Sequence, residues 1–194
     1  NTMFPENVIY LGVIFYIIGY YIYFRDMFFG QTRPNLVSWF IWMLAPFIGV
    51  FFQLKAGAQL SVIPILMAGF GPLVVFIVSI WKKNWHWNIS AFDIACGVLA
   101  LLSLVLYVIT HNLAVSILFV ILADALAFVP TFKKSWNSPE SESGLLYVST
   151  TIVNIIGILI IKDWIFTIYS FGFYLIAFNI IEITIIYRKK IFKS

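Results

Sequence analysis

The chain has 194 residues, 62% of them hydrophobic and only 10% charged, with a formal net charge of +4. A soluble domain carries about 25% charged residues, so this sequence lacks the polar side chains to cover a water-facing surface. That excludes an ordinary soluble fold and makes lipid the expected solvent. The basic balance would suit nucleic acid, but in a membrane protein excess Lys and Arg mark cytoplasmic loops. No basic cluster lies outside such loops, so no nucleic-acid partner is expected. The single cysteine, Cys96, rules out an intrachain disulfide or a thiolate cluster.

Crossing a hydrocarbon core of about 30 Å takes roughly 20 apolar residues in a helix. Seven segments qualify, over residues 6–24, 36–56, 60–81, 89–110, 112–133, 144–161 and 164–187. The first has no Lys or Arg before it and ends without a small-residue cleavage site, which predicts a retained helix rather than a signal peptide. The second, third and fifth contain Pro46, Pro64, Pro72 and Pro130, tolerable where neighbouring helices or a cavity accommodate the freed carbonyls. Trp39 and Trp42 stand one turn apart at the start of the second segment, either as interfacial belt residues or as stacking platforms. Gly69 and Gly71, beside Pro72, are expected to allow close packing or bending rather than to bind a phosphate, since the strand and helix context of a nucleotide loop is missing. The stretch from Trp81 to Trp87 alternates aromatic rings with Lys82 and Lys83, as at a headgroup boundary.

Sorting the cations by side gives the orientation. Lys55 and Lys162 fall on one side. Arg25, Arg33, Lys82, Lys83, Lys133, Lys134, Arg188, Lys189, Lys190 and Lys193 fall on the other. The positive-inside rule places the second group in the cytoplasm, with the N-terminus outside and the C-terminus inside. The expected location is a prokaryotic plasma membrane.

Segments one to three map onto five to seven at an offset of about 105 residues, with Pro34 falling on Pro139 and Ser38 on Ser143. The spacing predicts an all-α integral membrane fold of seven transmembrane helices. Two parallel three-helix repeats, residues 1–81 and 111–194, are joined by an inversion helix within 82–110. Parallel repeats of this kind occur in transporters, with the substrate site near the midplane.

The stretch Pro130–Thr131–Phe132–Lys133–Lys134–Ser135–Trp136–Asn137–Ser138–Pro139–Glu140–Ser141–Glu142–Ser143 resembles the loop signature of the SWEET and PQ-loop transporter superfamily. In the first repeat, Arg25–Asp26 stands where the family's proline pair would be, while Arg33–Pro34–Asn35–Leu36–Val37–Ser38–Trp39 keeps the second half. The third segment has no counterpart of the family's substrate-contacting asparagine. The resemblance implies a 3+1+3 transporter fold and, as cargo, a sugar.

Ionisable and amide groups at membrane depth usually face a cavity or a partner. Asp124 lies about 18 Å from the outer end of the fifth segment at 1.5 Å per residue, which suits a proton carrier or a hydrogen-bond donor to substrate. The alternative is a carboxyl that fixes helix packing. Asn154 has a similar depth in the sixth segment, and Asn179 lies nearer the cytoplasmic end of the seventh. Both are candidate solute ligands or interhelical glue. Glu182 is expected either to pair with Arg25 or a loop lysine as an inner gate, or to reach the interface. Asp93 is expected at the interface. Pro130 is a candidate hinge, since a helix-interior proline removes one backbone bond.

Only His86 and His111 are present, on opposite sides, so neither a paired-histidine metal site nor a Ser/His dyad can be assembled. The last segment has no lysine between Lys162 and Arg188 for a retinal Schiff base. The expectation is therefore a non-enzymatic transporter or facilitator without cofactor. It would carry a small polar neutral metabolite such as a sugar, with the bilayer and that solute as partners and a homo-oligomer admitted. The alternative is a non-transporting receptor or assembly protein on the same fold.

Overall fold

The computed structural model describes residues 4–32, 34, 36–82 and 91–191. Arg33, Asn35, Lys83, Trp85, His86, Trp87 and Lys193 lie outside them, as do the side chains of Lys82, Asp93 and Cys96. Among the described residues there are seven α-helices: α1 (Ile9–Phe28), α2 (Leu36–Lys55), α3 (Ile63–Lys82), α4 (Ala91–Thr110), α5 (Leu113–Asn137), α6 (Gly144–Leu159) and α7 (Phe166–Ile191). Every predicted segment forms its helix.

The boundaries carry physical reasons. Asn112 caps α5, its side-chain oxygen accepting from the amides of Ala114 and Val115 at 3.0 and 3.2 Å, which satisfies two of the orphan donors of a first turn. At its other end α5 runs four residues past the expected stop, to Asn137. Pro64 is not an interior proline: it is the second residue of α3, where its missing N–H costs nothing. Pro46, Pro72 and Pro130 do lie inside helices.

Five helical spans are long and apolar enough to cross a membrane: Glu6–Phe28, Leu36–Lys55, Leu60–Trp81, Leu113–Asn137 and Phe166–Lys190. Of the other two predicted spans, α4 runs over 20 residues and α6 is the short one: its 16 residues span about 24 Å at 1.5 Å per residue, against a core of about 30 Å.

Burial is distributed as lipid would demand. Tyr10, Leu11, Ile14, Ile17 and Ile18 on α1, and Val105, Val108 and Ile109 on α4, point outward. Gln53, Asp124, Asn154, Asn179 and Glu182 are buried inside. In water such a chain would expose its greasiest side chains while paying to desolvate its polar ones.

α1 packs mainly on α6, and α5 on α2, α4 and α7; α2 pairs with α3, and α6 with α7. Close approach of α1 to α6 depends on Gly19, where an added Cβ would stand 2.7 Å from the Cβ of Ser149. Gly71 has the predicted packing role: a Cβ there would meet the rings of Tyr16 and Tyr20.

Candidate functional site

α1, α2, α3, α5, α6 and α7 surround a central cavity with about 460 Å³ of empty space including its mouth. Asp124 from α5, Asn154 from α6 and Asn179 from α7 all line it. Three polar residues picked from separate segments, Asp124 and Asn154 for their depth and Asn179 nearer the cytoplasmic end, thus line one cavity. They are 1%, 2% and 4% exposed.

Tyr174, one turn before Phe178 on α7, donates its hydroxyl to Asp124 Oδ2 at 2.8 Å. The Asn154 amide donates to the Thr150 carbonyl at 2.8 Å, a bond within its own helix that fixes the side-chain plane. Asp124 Oδ1, Asn154 Oδ1 and the Trp42 indole nitrogen are buried without a hydrogen-bond partner in the protein. Buried polar groups are normally paired, so these three, together with the amide of Asn179 that also lines the cavity, are groups a solute could meet.

The rest of the lining is aromatic or apolar: Tyr20, Trp39, Trp42, Phe128 and Tyr147, with Pro46 and Pro72 from α2 and α3. Trp39 and Trp42 are not interfacial belt residues, being 4% and 7% exposed. Their rings meet edge to face at 5.4 Å, and Trp42 leans on Phe128 at 4.6 Å. They turn inward because α2 is enclosed by α3, α4 and α5, which leaves little of its surface for lipid.

A second cavity lies toward the basic end of the bundle, lined by Ser38, Pro130, Thr131, Lys134 and Glu142. Trp39, Trp42 and Tyr147 line both cavities, so an aromatic layer stands between them. Pro130 opens onto this second space; α5 stays helical through it. Lys134 and Glu142 form an ion pair at 2.8 Å there, and the Tyr147 hydroxyl donates to Glu142 at 3.4 Å.

The residues chosen for an inner gate separate. Arg25 pairs with its neighbour Asp26 at 2.7 Å and is half exposed, so its cation goes to its own helix instead of to Glu182. Glu182 does not reach the interface: it is fully buried and accepts a hydrogen bond from Ser135 on α5. Nearby, Arg188 stacks on Trp136 at 4.6 Å and donates to the Ser135 carbonyl. At the opposite end Lys162 ion-pairs with Glu6 and donates to Gln59 at 2.6 Å, tying three loops together.

Sequence reasoning missed Tyr20, Phe128, Tyr147 and Tyr174. A signal existed for the first: Tyr16, Tyr20 and Tyr23 recur on one face of α1 and all are buried. Three hydroxyl-bearing rings on an inward face need partners. The Lys134–Glu142 pair lies eight residues apart, Lys134 in the last turn of α5 and Glu142 in the connection to α6, where no periodicity marks it.

Comparison with known proteins finds no matching family model, no matching curated protein and no matching solved structure.

Proposed function

We propose that the chain is a membrane transporter or facilitator for a small polar solute, working by alternating access around the central cavity. The observation that carries this reading is the convergence of Asp124, Asn154 and Asn179 on that cavity, with two acceptor oxygens and one indole donor left without protein partners. A packing role would have consumed them. On this reading all seven helices lie in the bilayer, with the N-terminus outside.

The packing supports two parallel triplets, α1–α3 and α5–α7, joined by α4. Exchanging α1 with α5, α2 with α6 and α3 with α7 turns α1 on α6 into α5 on α2, and α2 on α3 into α6 on α7, while the packing of α4 on α5 stands outside the exchange. Such a pattern suits rocking of one bundle against the other. The aromatic layer and the Lys134–Glu142 pair then form the inner gate, with Pro130 beside it as hinge. The Glu6–Lys162–Gln59 ties form the outer gate.

The test is thermal stability of the purified protein in detergent against sugars, amino acids, amines and nucleosides, with Asp124→Asn and Asn154→Ala alongside. A solute at 100 times its dissociation constant stabilises the folded state by about 2.7 kcal/mol. A solute-specific rise lost in either variant supports transport around this site. A flat response across the panel at millimolar solute overturns it in favour of a receptor or assembly protein.

A further inference from the structure

We infer that the cavity is built for a small organic cation, an amine or ammonium group carried on a ring-bearing or otherwise apolar body. The inference rests on the transport reading and narrows its cargo, away from the sugar that the family resemblance implied.

Charge comes first. Asp124 brings a carboxyl with one oxygen free, and no Lys, Arg or His lines the cavity among the described residues. Lys134 stands in the neighbouring space beyond the aromatic layer, paired with Glu142. A carboxylate or phosphate on the solute would be desolvated with no cation to meet it, which is prohibitive. Anions and zwitterions are thereby disfavoured, and of the solute classes only a cation can pair with an ionised Asp124.

Hydrogen-bond capacity comes second. A sugar carries a hydroxyl on nearly every carbon, each needing a partner once out of water. The fully buried unpaired polar atoms here are Asp124 Oδ1, Asn154 Oδ1 and Trp42 Nε1, and with the Asn179 amide these groups remain fewer than the hydroxyls of a hexose. They suit an ammonium, whose N–H groups take the two acceptor oxygens. The indole N–H then meets an acceptor on the solute body.

The walls come third. Trp42, Phe128 and Tyr147 offer aromatic faces around the carboxyl. Attraction between a cation and such faces grows when both are removed from water. The same rings would gain nothing from a hydroxyl beyond ordinary contact.

The experiment compares solutes of one shape and different charge on the whole chain in lipid nanodiscs. The probes are phenethylamine, phenethyl alcohol, phenylalanine and glucose, read by thermal midpoint over a concentration series. Phenethylamine is expected to raise the midpoint with an apparent dissociation constant about tenfold below that of the alcohol. Phenylalanine and glucose should give no rise. Asp124→Asn should erase the preference for the amine, and Asp124→Glu should retain part of it. Should those variants fail to fold, the wild-type comparison decides alone. Equal or stronger stabilisation by the alcohol, phenylalanine or glucose overturns the cation assignment while leaving transport standing. No rise with any of the four counts against both.

Discussion

Gly19 and Asp124 stand near the middles of α1 and α5, about 105 residues apart, and they do opposite work. Gly19 is a contact point where α1 lies so close to α6 that a side chain would collide with Ser149. Asp124 faces the cavity with a free oxygen. Gly49 and Asn154, at the same offset, repeat the contrast: Gly49 packs under the Phe171 ring, and Asn154 lines the cavity. The first three helices contribute aromatic walls and prolines, while the carboxyl and both amides come from the last three. Both triplets supply aromatic wall, and the first adds the Trp42 indole donor, but the carboxyl and the amides belong to the second.

The comparison can be broken by substitutions on either side of it. The largest effect is expected for Gly19→Val, where the new side chain must push against the Cβ of Ser149. Overpacking of this kind costs about 1–3 kcal/mol or more, visible as a lower thermal midpoint in detergent. Stability within error of wild type would remove the scaffold half of the contrast. Asp124→Asn and Asn154→Ala should show the reverse pattern. Each is expected to weaken the stabilising solute about ten- to hundredfold in an equilibrium binding titration, while the midpoint of the solute-free protein changes less than for Gly19→Val.

Tyr174→Phe sharpens the site itself. Removing the hydroxyl that holds Asp124 Oδ2 leaves the carboxyl a second bare oxygen, costing about 1 kcal/mol or somewhat more of stability. A calorimetric or chemical unfolding series measures it. Stability equal to wild type would show that the bond is not formed. The smallest effect is expected at the end away from the basic loops. Lys162→Ala breaks a partly exposed tie to Glu6 and Gln59, and such pairs are worth about 0–1 kcal/mol. Its signature on the gate reading is faster solute exchange across a vesicle membrane with nearly unchanged stability.

How far the site was legible differs by residue. Asp124, Asn154 and Asn179 were readable because polar groups are rare and costly in an apolar helix, so their place in apolar segments marked them. Trp39 and Trp42 were readable as special and misplaced as belt residues, since position near a helix end does not say which face a ring takes. Arg25 and Glu182 look complementary in sequence, yet Asp26 is one residue from Arg25 and Ser135 meets Glu182 from α5. Local or buried partners outcompete a distant one. The short α6 was overestimated because apolar residues continue through Ile160 and Ile161 after the helix has ended, and hydropathy does not register a turn.

The sequence by itself determined the apolar character of the chain and its helices, and it sorts the cations by expected side. These follow from composition and from windows of about twenty residues, which need no knowledge of neighbours. Tertiary structure alone decided that three polar residues from three helices share one cavity, that its walls are aromatic, and which oxygens are left free. Those depend on helix rotation and partner choice, set by close approach at glycines such as Gly19 and Gly71. Their pattern is too sparse to read along a chain where nearly every residue is apolar.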